Sequence, residues 1–594
     1  MNRFYPIAIL LLCLGSALCP DGAHGQTTAQ PQTSRTIYPP QSAFKSPAWF
    51  VDVAKTAGVQ ALDVNGGTTS KRYILESTGS GVAIFDYDND GWPDIFLVNG
   101  SRLAGPGSES TGPTPTSHLF HNNRDGTFTD VSEKAGLAAS GWNQGVCVGD
   151  YDNDGYDDLY VTGYGGSRLY HNEGNGTFKD VTQGANVGGS TSDWGTGCAF
   201  VDYDRDGKLD LIVATYVKFN QAATPLPGEA LFCTWKNLLV FCGPRGLPSS
   251  HNVLYRNMGG GKFADVSRSS GIENTTGHYC FSVSTLDYDD DGWPDIYLAC
   301  DSTPAILYRN NRNGTFTDVA GDVGTAYNED GREQAGMGST IGDYDGDGRL
   351  DIFKTNFSDD TATLYRNNGD GSFSDRTFQA GLARNSQDLG WGTMFMDMDN
   401  DGWPDLIVAN GHVYPSVDTG NYGSSYEEPR LVYHNNAHGK FEDMSSISGP
   451  GVTVPRSSRG LAVGDLWNDG RLEAVVNNMN EQPMILVNLA ANHNHWLELR
   501  LIGVRSNRDA IGARVSFTAC HRNHVDEVRS GSSYDSSNQF LLHFGLGDCM
   551  ETDRIQVRWP SGVTEFFDIQ HIDSVFVLRE GSGTLKGPAS QRAK

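Results

Sequence analysis

Residues 483–488 read PMILVN, and residues 49–59 read WFVDVAKTAGV. Each is one half of a phrase that occurs whole between them. The whole form is HLFHNNRDGTFTDVSEKAGL from residue 118, and it returns from 168, 253, 306, 363 and 431. Aromatic and β-branched residues there flank an Asn/Gly/Asp turn, which is the signal of a β-hairpin. An open row of repeats leaves the two terminal halves without partners. A ring joins them, because its N-terminal strand completes the last unit.

A second phrase alternates with the first. It reads DYDNDGWPD at 86–94, DYDNDGYDD at 150, DYDRDGKLD at 202, DYDDDGWPD at 287, DYDGDGRLD at 343 and DMDNDGWPD at 397, with a degenerate DLWNDGRLE at 465. Small and apolar runs such as GSGVAIF precede these phrases, and runs such as IFLV follow them. The pattern is strand, tight charged loop, strand. One repeat is therefore two hairpins, or four strands. The charged loops recur every 50 to 85 residues or so, near the repeat length of a propeller blade. Seven charged loops, with six whole hairpins and one split hairpin, predict an all-β, seven-bladed β-propeller over residues 48–490.

Alternate aspartates on a turn aim carboxylates at one centre, and the glycine at the sixth position lets the backbone turn sharply. An Asp/Asn/Gly turn needs no metal when it occurs once. Six copies in fixed register point instead to a cation that offsets the mutual repulsion. Hard oxygen donors on a flexible loop select Ca²⁺. In the first loop the expected ligands are Asp86, Asp88, Asp90 and Asp94, with the carbonyl of Trp92. The first half matches an EF-hand loop, but its twelfth position is Leu97 where Glu is needed, so the ninth-position aspartate does the closing. In the seventh loop Trp467 replaces the third carboxylate and Glu473 the ninth, which predicts a loop that turns as the others do but holds no ion, or holds one much more weakly.

The repeats resemble FG-GAP/VCBS repeats, the blade type of integrin α-subunit propellers. That resemblance implies an integrin-α-like propeller with Ca²⁺ in six blade loops, on the residues above and their counterparts. These are Asp150, Asp152, Asp154, Asp158 and the Tyr156 carbonyl in loop 2; Asp202, Asp204, Asp206, Asp210 and the Lys208 carbonyl in loop 3; and Asp287, Asp289, Asp291, Asp295 and the Trp293 carbonyl in loop 4. Loop 5 supplies Asp343, Asp345, Asp347, Asp351 and the Arg349 carbonyl, and loop 6 supplies Asp397, Asp399, Asp401, Asp405 and the Trp403 carbonyl. Beyond residue 494 the repeat stops. HWLELRLIGVRSNRDAIGARVSF, EVRSGSSYDSSNQFLLHFGLGDC and IQVRWPSGVTEFF show alternating apolar positions and predict a small β domain over 494–580. These phrases resemble the ASPIC/UnbV domain, and the pairing with FG-GAP repeats resembles the cartilage acidic protein family and its bacterial relatives. FCGPRGLPSS in the insertion near 241 and ANGHVYP at 409–415 are similar to that bacterial group as well.

The formal net charge is −28, which argues against a nucleic-acid partner and fits cation binding. The N-terminus reads as a signal peptide over 1–25: Arg3, then IAILLLCLGSAL, then AHG with cleavage after Gly25. Leu18 stands where a lipid anchor on Cys19 needs a small residue. No other stretch is apolar enough to span a membrane, so the expected destination is the periplasm or the exterior. Residues 26–47 read as a polar, disordered leader and 581–594 as a flexible tail. Eight cysteines remain after cleavage, an even number in an oxidising compartment. Local spacing predicts Cys233–Cys242 and Cys520–Cys549, while Cys147, Cys198, Cys280 and Cys300 admit several pairings.

No HExxH, P-loop or GxSxG motif occurs. His412, His495 and His543 lie in distinctive phrases but read as structural, as do Arg508, Arg514 and a core Trp559. The function expected is a secreted, calcium-stabilised, non-catalytic scaffold for a protein or carbohydrate ligand. The alternative is a calcium-dependent polysaccharide lyase, which needs a positioned base and cations facing a uronate.

Overall fold

Short apolar runs separated by tight turns pair into antiparallel sheets, and the computed structural model assembles seven such sheets of four strands each. It describes residues 46–103, 112–437, 439–490 and 493–585. The expected signal peptide, all but two residues of the leader and the tail beyond 585 lie outside the described residues. The innermost strands of blades 1 to 7 are Val82–Phe85, Trp142–Gly149, Gly195–Val201, Cys280–Leu286, Gly336–Gly342, Gly390–Met396 and Ser458–Gly464. Each touches the next, and the seventh returns to the first, so the sheets form a closed ring. The closure is the one the split phrase requires: Phe50, Val51 and Asp52 pair with Asn488, Val487 and Leu486.

Small residues set how tightly the ring closes. A Cβ on Gly197 would lie 2.3 Å from the Phe281 carbonyl oxygen, and one on Gly338 would lie 2.2 Å from that of Trp391. Inner strands thus approach at distances that only glycine permits. At the rim, the DVSEKAGL half of each hairpin phrase ends in a single helical turn rather than in more strand. In blade 1 this is Ser132–Ala135, opened by the Asp130 carboxylate, which accepts the Ser132 N–H at 3.0 Å.

The C-terminal domain, whose first strand is His495–Ile502, packs a three-stranded sheet against a four-stranded one. Its last strand, Ser574–Arg579, runs parallel to its first, His495–Ile502. Leu497, Leu499, Val515, Phe544, Val557 and Trp559 are buried between the sheets. One stretch departs from the expected alternation. Residues 529–539 are no strand of this domain; they leave it and run down the central channel of the propeller. Ser537 N–H donates to the Val82 carbonyl at 3.0 Å, Ser533 N–H to that of Ser339 at 2.7 Å, and the Asp535 carbonyl accepts the Val146 N–H at 3.0 Å. Ser530, Gly531, Ser532, Ser533, Ser536 and Ser537 are slender enough for a narrow bore, and serine hydroxyls such as those of Ser530, Ser533 and Ser537 bond inside it. Tyr534 at the tip is fully buried, donating to the Thr78 carbonyl at 3.0 Å.

Among the described residues four disulfides are present. Cys233–Cys242 and Cys520–Cys549 match the local spacing. Cys147–Cys198 joins the inner strands of blades 2 and 3, and Cys280–Cys300 joins two strands within blade 4. Among the described residues, no helix is long and apolar enough to cross a membrane.

Candidate metal centres

Each charged loop links the innermost strand of a blade to the second strand, so all seven open on one face of the ring. In loop 1 the Asp86 carboxylate accepts the N–H groups of Asp90 at 3.0 Å and Gly91 at 2.9 Å. Asp90 accepts the Trp92 N–H at 2.9 Å. Asp94, fully buried, takes the Tyr87 N–H at 3.2 Å and the Asn122 N–H at 2.7 Å from the neighbouring strand. The first, fifth and ninth carboxylates therefore hold the turn itself. The same bonds recur on Asp150, Asp154 and Asp158; on Asp202, Asp206 and Asp210; on Asp287, Asp291 and Asp295; on Asp343, Asp347 and Asp351; and on Asp397, Asp401 and Asp405.

The third aspartate is different. A buried oxygen of Asp88, of Asp204 and of Asp345 has no hydrogen-bond partner. Ligand oxygens of Asp86, Asp88 and Asp94, and those of Asp150, Asp152 and Asp154, lie within 4.8 Å of one another, close enough to share a cation. Burial lifts Asp94, Asp158, Asp202, Asp287 and Asp343 to about 7 each, so without a positive charge these loops resist ionisation. An orphaned buried oxygen in an all-carboxylate donor set fits a hard divalent ion. Asp289 and Asp399 hold the third position in loops 4 and 6.

Sequence reasoning missed two partners of the loops, although both recur in fixed register in the hairpin phrase. The first is a basic residue on the third strand. His121 Nδ1 lies 3.4 Å from Asp94, His171 3.2 Å from Asp158 and His434 3.0 Å from Asp405. Arg256 pairs with Asp204 at 2.7 Å and Arg366 with Asp345 at 2.5 Å. The Asp158 carboxylate in turn holds the His171 imidazole up at about 9. The second is the asparagine that follows. Asn122 Nδ2 reaches across to the Leu466 carbonyl of loop 7 at 2.9 Å, and Asn172 to the Tyr87 carbonyl of loop 1 at 2.8 Å. Asn257, Asn310, Asn367, Asn435 and Asn488 repeat the bond, so every loop is tied to its neighbour.

Loop 7 turns as the others do. Asp465 accepts the Asp469 and Gly470 N–H groups at 3.0 and 2.7 Å, and Glu473 accepts the Leu466 N–H at 3.0 Å. Trp467 stands in the third position, buried among Leu466, Val475 and Ile485. Arg471 pairs with Asp469.

The C-terminal domain sits on this face and reaches all seven loops. Arg500 approaches Asp86 at 3.8 Å, Asp509 accepts the Asp150 N–H at 2.6 Å, and the Pro560 carbonyl accepts from Arg205 at 2.7 Å. Arg558 pairs with Asp287 and, at 2.7 Å, with Asp290. Arg514 donates to the Gly348 carbonyl at 3.0 Å and Arg522 to that of Asp401 at 2.6 Å. Over loop 7, His543 bridges Glu498 at 2.9 Å and Asn400 at 2.7 Å, while Asn400 donates to the Gly470 carbonyl at 2.9 Å.

Residues 86–161, 150–213, 238–298, 287–354 and 343–408 match the FG-GAP-like repeat family, and residues 503–585 match the ASPIC and UnbV family. Cartilage acidic protein 1 of Homo sapiens is 23% identical over 374 residues, covering 62% of this chain and 50% of that protein. The Xenopus tropicalis protein of the same name is 23% identical over 505 residues, covering 81% and 70%. The chain thus spans about half the length of the human relative. Among solved structures, an Agrocybe aegerita lectin that recognises non-reducing terminal N-acetylglucosamine covers 75% of this chain and 97% of its own at 16% identity. Its TM-score of 0.35 is too low to bear on fold or ligand.

Proposed function

Because this chain belongs to the FG-GAP-like repeat proteins that end in an ASPIC and UnbV domain, we propose that it is an exported, calcium-bound scaffold that recognises a protein or glycan ligand without catalysing a reaction. The observation that carries this reading is the uncommitted oxygen of the third aspartate in loops 1, 3 and 5, whose other carboxylates are already engaged with backbone N–H groups. Asp88 and its counterparts would supply the donor that is free for an ion, and the first, fifth and ninth carboxylates would turn their remaining lone pairs to it. Six such ions would lie between the propeller and its C-terminal domain. They would relieve the repulsion among the loop carboxylates and hold the loops in the shape on which the domain is seated through bonds such as Asp150 N–H to Asp509 and Arg522 to the Asp401 carbonyl. Four disulfides suit an oxidising compartment.

Isothermal titration of the chelated, full-length protein tests the reading. Ca²⁺ is expected to bind at about six sites, with dissociation constants on the order of 10⁻⁴–10⁻³ M, and more tightly than Mg²⁺. Heat that saturates at one or two ions, or none, would exclude it.

A further inference from the structure

On the face opposite the charged loops, two sequence phrases with no role so far meet. The insertion between the second and third strands of blade 3 carries a small hairpin, Thr234–Trp235 and Leu238–Leu239, closed by Cys233–Cys242. The other phrase, ANGHVYP, leaves the second strand of blade 6 at Asn410. Trp235 packs on His412 at 4.7 Å and near Tyr414 at 6.1 Å between ring centroids, and Phe241 packs on Tyr414 at 4.8 Å. His412 is buried, accepts the Tyr414 N–H at Nδ1 (3.1 Å) and faces Ser358 Oγ through Nε2. It is a brace for the turn and not a free base. Together the phrases wall a cleft of about 410 Å³.

The cleft is blind. Phe281 and Trp391 form its floor, and the plug residue Tyr534 closes the channel beneath them, 5.5 and 4.8 Å from their rings. One carboxyl group lines the floor. Asp301 is buried, accepts Tyr216 Oη at 2.5 Å and Ser302 Oγ at 2.8 Å, and is held by burial above the usual carboxylate range. The rim carries charge only in pairs: Arg245 with Glu333 at 2.6 Å and Lys236 with Asp359 at 2.8 Å.

These features select a ligand class. A cation would seek aromatic faces, but two of them already carry one: Arg459 lies 4.2 Å over Trp391 and Lys236 lies 4.6 Å over Trp235. An anion would meet Asp301. A pure hydrocarbon would make no use of the polar groups of Asp301 and Ser302 in the lining. A pyranose ring sets its C–H face on aromatic rings and points hydroxyls at groups such as Asp301 and Ser302. The volume is within the usual range for a small-molecule site. We propose that this cleft binds a neutral saccharide end of one or two pyranose rings. The proposal rests on the recognition role above but not on its calcium.

Saturation-transfer NMR and calorimetry on the full-length, calcium-loaded protein test it. The probes are methyl glycosides of neutral hexoses and N-acetylhexosamines, their disaccharides, and tetramethylammonium as the cationic comparator. Saturation transfer from at least one neutral saccharide is expected. Trp235→Ala and Tyr414→Ala should each weaken binding by about tenfold. Cys233→Ser with Cys242→Ser should weaken it without lowering the propeller's melting temperature, and Phe378→Ser, exposed and outside the cleft, should leave it unchanged. No transfer from any saccharide, stronger transfer from tetramethylammonium, or unchanged affinity in both aromatic variants overturns the proposal. Calcium titration of the same sample separates the two readings. A protein that loads calcium and ignores sugars keeps the scaffold and loses the cleft.

Discussion

Loops 1 to 6 and loop 7 share a backbone and differ in one oxygen donor. In loop 1, Asp86, Asp90 and Asp94 bind the turn's own N–H groups, and Asp465 and Glu473 do the same in loop 7. Where Asp88 offers a carboxylate oxygen without a partner, loop 7 buries an indole among apolar side chains. The phrase therefore carries two separable functions. Three acidic positions make the turn, and on the proposed reading the third position adds the donor that completes an ion site. Loop 7 keeps the backbone bonds of the turn and adds the packing of Trp467, so the motif holds its shape without the third carboxylate.

Removal of divalent cations should separate the two kinds of loop most strongly. A ligand that binds only the folded state stabilises it by about 2.7 kcal/mol per site at a hundredfold excess over its dissociation constant. Six loops should respond together, and chelation should lower the melting temperature by more than about 10 °C. Hydrogen exchange should then speed up at loops 1 to 6 and change little at Leu466–Gly470. Equal acceleration in all seven loops would erase the distinction.

Trp467→Asp attacks the comparison from the other side. Loss of a buried indole should cost about 3–5 kcal/mol in chelator. Together with Glu473→Asp it rebuilds the full phrase, and the calcium stoichiometry measured by titration should rise by one. A double variant that binds no additional ion would show that the third position is not what loop 7 lacks.

Smaller effects should follow in loop 1. In chelator, Asp86→Ala should destabilise by about 1–3 kcal/mol, because it strands two N–H groups. Asp88→Ala should change stability there by less than about 0.5 kcal/mol. With calcium present both variants should bind one ion fewer. Denaturant melts with and without calcium read the difference, and equal costs for the two variants in chelator would refute the division of labour.

Much of this was legible in the sequence because it is local. The strand–loop–strand phrases, the split hairpin and the first two disulfide pairs follow from spacing within a few residues or from halves that match across the chain. What was illegible depends on neighbours in space. Cys147 and Cys198 face each other only because blades 2 and 3 are adjacent. That the first, fifth and ninth aspartates also accept backbone N–H groups left no mark in the sequence, since one residue type serves both N–H groups and ions. His121 and Arg256 occupy one register with different side chains, so no repeated letter marked them. The serine-rich stretch 529–539 has no apolar period, because it is wrapped by inner strands on all sides and has no solvent face to alternate with.

That plug has a chronological consequence. Phe50–Asp52 are made early, yet their partners at 486–488 appear more than four hundred residues later, and the axis is filled only once 533–537 exist. Blade 1 can form as the chain emerges, but it waits with one flank uncovered and its centre hollow. The ring therefore shuts once, late, around a strand supplied by a different domain. A chain interrupted before residue 484 should be left with open ends, and one interrupted between 489 and 532 with a closed ring around a wet axis. The native state is accordingly a property of the finished chain, and partial products should be short-lived in the presence of proteases.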